Sequence, residues 1–440
     1  MKNKNKLDTL REEISVLTEE YFNNKFKPTN FVPGISEVPV SGKVFDSSEM
    51  KSLINASLDF WLTDGDFSEK FSLKMARFLS IKEVRLVNSG SSANLIALSS
   101  LSSKKIKNHI SEGDEVITAA VGFPTTVNPI FQNNLVPVFV DSEIGTYNPT
   151  FEKIINAVTS KTKVIMMAHT LGNPLNIEKI VDFASENNIW VIEDNCDALG
   201  SIHKGKYTGT FGDISTLSFY PAHHITMGEG GAVLTNSTKL KLSIDSFRDW
   251  GRDCWCKSGH DNTCNKRFDW QLGELPFGYD HKYTYSNIGY NLKLTDLQAS
   301  IGVAQIDKLE DFISKRRDNW KRVNDIVLKF PDYFISHKPE MDSKPSWFGY
   351  AITVKNNSKF TRDELVKFLN ERRIATRLLF GGNLTKQPAY LSKDFKVSGS
   401  LDNANVVMNS TFWVGVYPGL TSEMLDYVED TFDEFMNNFL

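Results

Sequence analysis

The middle of the chain, residues 115–235, alternates short apolar runs rich in β-branched residues with longer stretches of helical periodicity. The apolar runs predict strands, and they are residues 116–118, 137–140, 164–167, 190–193 and 217–219. Residues 177–188 predict a helix between two of these strands. Because the runs are apolar without interruption, they favour a mainly parallel sheet that helices cover on both faces. In such a sheet, ligands bind outside the carboxyl ends of the strands.

The two ends of the chain predict further elements. A helix is expected near the start, where apolar residues recur at helical spacing at Leu7, Leu10, Ile14 and Leu17. An amphipathic pattern predicts one long helix from Leu294 to Ile313, and residues 350–354 predict a strand. Thr361 and Glu364 form the capping-box pattern that opens a helix.

These elements divide the chain of 440 residues into three parts. Residues 1–60 are expected to form an arm that packs on the small domain. Residues 61–300 are expected to form a large ligand-binding domain with a cysteine-rich loop at 250–268, and residues 301–440 a smaller C-terminal α/β domain. A composition of 40% hydrophobic and 24% charged residues is sufficient for one large and one smaller core.

Charge and hydropathy exclude several classes of function. A net charge of −4 and dispersed lysines argue against a nucleic-acid surface. The basic first residues have no apolar run behind them, and no stretch of 18 apolar residues occurs, so neither a leader nor a membrane span is expected. We therefore expect a cytoplasmic protein. Four cysteines are too few for a disulfide scaffold.

The first chemical signal is the break of a short apolar strand at Gly90. Residues 84–87 form the strand, and Ser91 and Ser92 then begin a helical pattern. A helix start of this kind offers free backbone N–H groups and hydroxyls to an anion. Taken alone, an ordinary capped turn explains it better.

Further polar and aromatic residues follow the later strands. Phe123 follows the first of them, Asp194 ends another, and Ser218 lies within the last. Asp194 alone could be a helix cap or a turn residue. Ser218 is followed by His223 five residues later and then by a Gly-Glu-Gly-Gly turn that ends at Gly231.

In this order, these segments resemble the sugar aminotransferase and dehydratase family named after its DegT, DnrJ, EryC1 and StrS members, over roughly residues 30–430. The resemblance implies the α/β fold of fold-type I pyridoxal phosphate (PLP) enzymes. It implies the following roles: cofactor phosphate binding by Gly90, Ser91 and Ser218, stacking on the cofactor ring by Phe123, pairing with the pyridine nitrogen by Asp194, contact with a neighbouring subunit's phosphate by Asn291, and substrate binding by Arg377. A homodimer follows from the role of Asn291. A surface salt bridge is the alternative explanation for Arg377.

His223 departs from the family pattern, because it stands where the aminotransferases have the lysine that binds the cofactor aldehyde. An imidazole cannot form that stable covalent link. The explanations are a dead enzyme, a misaligned surface histidine, and a dehydratase that uses free pyridoxamine phosphate (PMP). Because Ser218 and the glycine turn are in register, we favour the dehydratase, with His223 as the base that removes a cofactor proton. The neighbouring His224 is interpreted as structural.

The cysteine-rich loop is the second departure. Cys254, Cys256 and Cys264 can ligate one metal site from a single loop, and Cys196 supplies the fourth thiol. Cys196 lies two residues after Asp194, which would place the metal near the cofactor ring. Structural zinc is one explanation. A [2Fe-2S] cluster is the one we favour, since the family lysine is absent and an electron carrier would lie beside the ring.

The same constellation resembles the iron-sulfur, PMP-dependent branch of the family. That branch removes the C3 hydroxyl of a nucleotide-linked 4-keto-6-deoxyhexose in the biosynthesis of 3,6-dideoxysugars for surface polysaccharide. The resemblance implies CDP-4-dehydro-6-deoxy-D-glucose as substrate and a separate NAD(P)H-dependent flavin/iron-sulfur reductase as partner. The alternatives are a cluster-free dehydratase that also deaminates a GDP-sugar, and a non-catalytic zinc-stabilised protein of this fold.

Overall fold

The computed structural model describes residues 2–256, 259–263 and 265–439. Its helices are α1 (Lys2–Lys25), α2 (Ser47–Asp59), α3 (Asp66–Leu79), α4 (Gly90–Ser100), α5 (Pro124–Gln132), α6 (Phe151–Asn156), α7 (Ile177–Glu186), α8 (Thr238–Arg248), α9 (Asp296–Gln305), α10 (Leu309–Val327), α11 (Arg362–Glu371), α12 (Asp402–Ser410) and α13 (Ser422–Met436). Its strands are β1 (Glu83–Val87), β2 (Glu115–Ala119), β3 (Val136–Val140), β4 (Thr162–Ala168), β5 (Trp190–Asp194), β6 (Ile202–His203), β7 (Lys206–Tyr207), β8 (Ile214–Ser218), β9 (Gly231–Thr235), β10 (Phe334–Ser336), β11 (Ser343–Lys344), β12 (Gly349–Val354), β13 (Thr376–Leu378), β14 (Lys396–Ser398) and β15 (Thr411–Gly415).

The large central sheet has the strand order β1-β9-β8-β5-β4-β2-β3-β14. The pairs from β8 to β14 are parallel, whereas β9 is antiparallel to both β8 and β1. Ser218 at the end of β8 pairs with Gly231 at the start of β9, and Gly231 also pairs with Val87 of β1. The prediction of a mainly parallel sheet is confirmed, and the sheet brings the carboxyl ends of β1, β5 and β8 to one edge.

Both faces of this sheet are covered by apolar packing. The consecutive residues Val116 and Ile117 of β2 are both fully buried, yet they belong to different cores on opposite faces. Burial on both faces is the physical reason why the strands are apolar without alternation. The predicted strands and the helix α7 are therefore confirmed at the positions that the apolar pattern indicates.

The C-terminal sheet is antiparallel, with the order β10-β12-β15-β13. Its core unites Tyr350 and Ile352 of β12 with Phe412 of β15 and Phe432 of α13. The capping box at Thr361 is present and begins α11 as predicted.

One helix prediction is wrong in detail, because a 3₁₀ turn at Ile306–Lys308 separates α9 from α10. Lys308 and Gln305 at this turn both contact the carboxylate of the buried Glu49 on α2. Ile306 and Leu309 remain in the same core across the turn. The apolar pattern therefore continues through the break and does not reveal it.

The N-terminal segment forms a helix as predicted, but Leu7 and Leu17 of α1 are each 62% exposed. Ion pairs link α1 to α2, including that between Lys51 and Glu19. The connector after α1 reaches the C-terminal core, where Phe31 contacts Tyr427 with ring centroids 5.8 Å apart. None of the helices in the described ranges has the length and hydropathy that a bilayer crossing requires.

Candidate active site

The start of α4 meets the end of β8 in a close contact at Gly90. A Cβ atom on Gly90 would lie 2.5 Å from Cβ of Ser218 and 3.1 Å from Sγ of Cys196. The Ser89 hydroxyl caps α4 by accepting the N–H of Ser92. Helix geometry leaves the N–H groups of Gly90 and Ser91 without intrahelical partners. The structure thus brings Gly90, Ser91, Ser218 and Cys196 together, and only glycine fits at the centre of the group.

Asp194 lies beside this group at the end of β5 and is 6% exposed. Its Oδ2 accepts hydrogen bonds from Asn94 Nδ2 at 2.8 Å and from Thr126 Oγ1 at 2.6 Å. Thr216 Oγ1 donates to Asn94 Oδ1 at 2.7 Å, which fixes the amide with its NH₂ group toward the carboxylate. These donors fix the orientation of the Asp194 side chain.

The supporting residues Asn94, Thr126 and Thr216 are absent from the sequence-based set. Asn94 lies on the helix that Gly90 begins, one turn later, and Thr126 follows Phe123 in the first turn of α5. Their positions near two predicted site residues are the signal that could have found them. Asp194 also accepts the N–H of Cys196 at 3.2 Å, so its role in a turn coexists with the supported carboxylate.

His223 lies in the turn after β8, with its ring against Phe348 at a centroid distance of 5.1 Å. Its Nδ1 is 3.6 Å from Oδ1 of Asp197 and has no hydrogen-bond partner within the described residues. Burial, and then the positive charge of Arg316, lower the pKa of His223 to about 4. The imidazole is therefore neutral near pH 7 and has a lone pair that can accept a proton.

Asp197 was not in the predicted set. Burial and the nearby charge of Asp194 raise its pKa to about 8, although the backbone N–H of Leu171 acts in the opposite direction. Leu171 has a left-handed φ of 52°, and Gly172 follows with a φ of 87°. A Cβ atom on Gly172 would lie 2.1 Å from the carbonyl oxygen of Ser346. The turn at Leu171 is thus fixed by tight backbone packing and brings an N–H group to Asp197.

His169 and Glu193 form a fully buried hydrogen-bonded pair near the carboxyl ends of β4 and β5. The N–H of Leu175 donates to His169 Nδ1 at 3.0 Å, so the ring proton is on Nε2, which donates to Glu193 Oε2 at 3.0 Å. The backbone N–H groups of residues 209, 211 and 212 also donate to this carboxylate, at 2.8, 2.8 and 2.7 Å. Glu193 therefore anchors the loop that leads into β8.

Phe123, Asn291 and Arg377 lie at the surface. Phe123 is 51% exposed and meets Phe380 edge to face at a centroid distance of 5.9 Å. Arg377 donates to the carbonyl of Thr376 at 2.8 Å, and within the described ranges it forms no ion pair. Asn291 is exposed and pairs with Asp249 in an isolated bridge. The three predicted roles of these residues remain predictions.

The structure places the described cysteines in two groups. Cys254 and Cys256 line one cleft together with His281 and Arg267, whereas Cys196 lies at Gly90. In residues 2–256, 259–263 and 265–439, no three His, Cys, Asp or Glu side chains are placed to hold a metal ion. Cys264 lies outside the described residues. The four-thiol site is therefore not assembled in the part of the chain that the structure describes.

The pKa of the Cys196 thiol is raised, mainly by burial and further by the negative charge of Asp194. A metal ion binds the thiolate form, so metal binding at Cys196 would have to overcome this shift.

The residues at the strand ends fit a phosphate-bearing aromatic cofactor. Gly90 and Ser91 present backbone N–H groups and Ser218 a hydroxyl, which suit a phosphate. Asp194 is a buried carboxylate fixed by two donors, and such a group can pair with a protonated ring nitrogen. His223 adds a neutral base next to Asp197.

Two known proteins are similar in sequence to nearly the whole of this chain. The chain is 53% identical over 429 residues to the lipopolysaccharide biosynthesis protein RfbH of Salmonella typhimurium, covering 97% of this chain and 98% of that protein. It is 51% identical over 428 residues to the dTDP-4-dehydro-2,6-dideoxy-D-glucose 3-dehydratase of Saccharopolyspora spinosa, covering 97% and 92%.

Among solved structures, the E. coli GDP-4-keto-6-deoxy-D-mannose-3-dehydratase with bound hydrated PLP superposes with a TM-score of 0.81 at 29% identity, covering 90% of this chain and 99% of that one. The profile of the DegT/DnrJ/EryC1/StrS aminotransferase family matches residues 45–433. This chain therefore belongs to the DegT/DnrJ/EryC1/StrS aminotransferase family.

Proposed function

We propose that this protein is a PMP-dependent sugar 3-dehydratase that acts on a nucleotide-linked 4-keto-6-deoxyhexose. The observation that carries the proposal is His223, a neutral imidazole next to Asp197 at the position where the family's aminotransferases have a lysine. Two relatives whose names state a 3-dehydratase activity support it, and one of them is a solved structure that contains PLP.

Each residue of the site has a role in this reaction. When bound, PMP supplies an amine that condenses with the sugar's keto group and a ring that accepts electron density. Gly90, Ser91 and Ser218 bind the phosphate, and Asp194 keeps the pyridine nitrogen protonated. His223 accepts a proton from the cofactor carbon that bears the amine. This favours departure of the C3 hydroxyl, which leaves as water after it gains a proton.

The surface residues complete the proposal. Phe123 covers the cofactor ring, and Arg377 binds the substrate. Asn291 reaches the phosphate site of a second subunit in a homodimer, which agrees with its exposure. Within this family likeness, CDP-4-dehydro-6-deoxy-D-glucose is the substrate that we propose.

A panel of sugar nucleotides tests the substrate. The purified protein with PMP is expected to consume the CDP-linked 4-keto-6-deoxyhexose and to exchange its C3 oxygen with ¹⁸O-labelled water. The GDP- and dTDP-linked sugars of the same ring serve as matched controls. Release of ammonia from the GDP-linked sugar would show a dehydratase that also deaminates, and no turnover of any member would contradict the enzymatic proposal.

We further propose that Cys196, Cys254, Cys256 and Cys264 hold a [2Fe-2S] cluster. The support is the donor set of four thiols, of which Cys254 and Cys256 line one cleft. Dehydration removes the C3 oxygen as water, and reduction of the dehydrated sugar to a 3-deoxy-4-keto sugar then needs two electrons, which a separate NAD(P)H-dependent flavin/iron-sulfur reductase would supply.

Metal analysis tests the cluster. Protein purified without oxygen is expected to contain about two irons and two sulfides per chain, the content of one such cluster. Cys256→Ser should lower both, while dehydration with PMP persists in part because it needs only cofactor and base. Stoichiometric zinc without acid-labile sulfide would contradict the cluster.

A further inference from the structure

Arg316 on α10 is the largest fully buried side chain in the described part of the protein, with no exposed surface. No carboxylate of the described residues forms an ion pair with it. Its hydrogen bonds all go to backbone carbonyls: Nη1 donates to Trp347 at 3.1 Å and to Phe348 at 3.4 Å, and Nη2 donates to His223 at 3.1 Å. Nε has no hydrogen-bond partner among the described residues, so the bonds from Nη1 and Nη2 are the ones that hold this buried guanidinium in place.

The three carbonyls belong to two segments that meet at the imidazole. Nη2 fixes the backbone of His223, and Nη1 fixes the backbone of Phe348, whose ring packs against the His223 ring. The Trp347 ring stacks on Trp320 of α10 at 4.4 Å and 5°, which attaches the same segment to the helix that carries Arg316. One side chain thus links both residues of the imidazole contact to a rigid helix.

We propose that Arg316 is a positioning residue, whose planar guanidinium fixes the backbones of His223 and Phe348 so that the imidazole keeps one orientation beside Asp197. An apolar side chain of similar length would fill the same space without the cost of burying a charge. Arginine differs from it by a rigid fork of N–H donors, which can bind several carbonyls in one geometry. The catalytic part of this inference rests on the proposed function of His223.

Arg317, the next residue, provides a matched control. It too donates to backbone carbonyls, those of Pro345 at 2.9 Å and Lys344 at 3.2 Å in the segment that precedes β12, and that of Gly200 at 3.4 Å. None of these bonds reaches His223. Arg317→Met therefore removes a comparable set of hydrogen bonds from the same helix without releasing the imidazole.

The expected result for Arg316→Met is a fall in kcat of about 100-fold, the loss that a displacement of about 1 Å can cause. PMP affinity and KM should stay near the parent values, because Arg316 contacts none of the residues proposed to bind the cofactor phosphate, Gly90, Ser91 and Ser218. Arg317→Met should keep the parent kcat even if its melting temperature falls equally. Arg316→Lys retains the charge without the fork and should give an intermediate kcat, which keeps the test usable if Arg316→Met does not fold.

A second measurement does not need substrate or cofactor. Deuterium exchange at the imidazole C2–H of His223, followed by mass spectrometry, should become faster in Arg316→Lys, which keeps the positive charge that lowers the pKa of His223, but not in Arg317→Met. If exchange changes while no protein turns over any sugar, the positioning role stands and the proposed function fails. Parent exchange and parent kcat in the Arg316 variants, or equal losses in Arg317→Met, would overturn the inference.

Discussion

Replacing His223 with asparagine is expected to slow substrate-dependent exchange of the C4′ proton of PMP by about 10²- to 10⁴-fold, the usual contribution of a general base. PMP affinity should stay near that of the parent, because in the proposed function Gly90, Ser91, Ser218 and Asp194 bind the cofactor and His223 forms no covalent link to it. Loss of tritium from C4′-labelled PMP measures the exchange rate, and fluorescence titration measures the affinity.

His224→Asn is the matched control for this prediction. His224 is 2% exposed and its Nε2 donates to the carbonyl of Ser346 at 2.9 Å, so its loss should lower stability more than exchange. His223→Lys should differ in kind, since an amine at this position can bind the aldehyde of PLP covalently and change its absorption spectrum. Exchange at the parent rate in His223→Asn would show that the base is another residue, and His224 would be examined first.

Glu193→Gln is expected to lower the free energy of unfolding by about 1–3 kcal/mol, the usual cost of leaving a buried hydrogen-bonding group without its partner. The carboxylate accepts a bond from His169 and three more from backbone N–H groups. A glutamine amide would turn its own donors toward some of these groups. Urea unfolding should show a lower midpoint with an unchanged slope.

The destabilisation caused by Glu193→Gln should depend on pH and be smaller at acid pH. Burial alone would raise the pKa of Glu193, but the hydrogen bond from His169 and those from Gly212 and Gly209 outweigh it and hold the pKa below its ordinary value of 4.5. A depressed pKa gives stability that is complete above 4.5 and is lost as pH falls through the folded-state pKa. The difference in the free energy of unfolding between the parent protein and Glu193→Gln should therefore become smaller at acid pH.

Glu178→Gln is the control, because Glu178 forms an exposed pair with Lys204 that should contribute little. A midpoint for Glu193→Gln equal to that of Glu178→Gln would contradict the structural role of the buried pair.

Much of the fold follows from the apolar pattern because burial on both faces leaves a direct trace in the sequence. Strands such as β2, with both Val116 and Ile117 buried, have no polar alternation and can be recognised individually. The turn between α9 and α10 leaves no such trace, since its buried residues keep the same spacing. The apolar pattern shows which side chains are buried. It does not show where the backbone changes from α-helical to 3₁₀ hydrogen bonding.

Parts of the candidate site could be predicted from the sequence where a turn or a strand end favours a particular residue type. Gly90 is needed at a strand-to-helix turn, and Asp194 and Ser218 end neighbouring strands, so their meeting follows from the parallel sheet. Asp197 and Arg316 could not be found in this way. Arg316 stands next to Arg317 on a helix with many charged residues, and only the packing of His223 and Phe348 around it distinguishes the two.

The order of strands in the central sheet also bears on how the chain reaches its native state. The loop that carries His223 connects β8 and β9, which are neighbours both in sequence and in the sheet, so its ends meet by closing a short loop. The contact between Gly90 and Ser218 requires β1, from far earlier in the chain, to pair with β9, and closing this longer loop costs more conformational entropy. Local contacts form sooner than such distant ones. The backbone of this loop can thus be closed by a hairpin early in folding, whereas the imidazole is held only once Arg316 and Phe348 pack on it, and the group around Gly90 assembles only when the distant strand arrives.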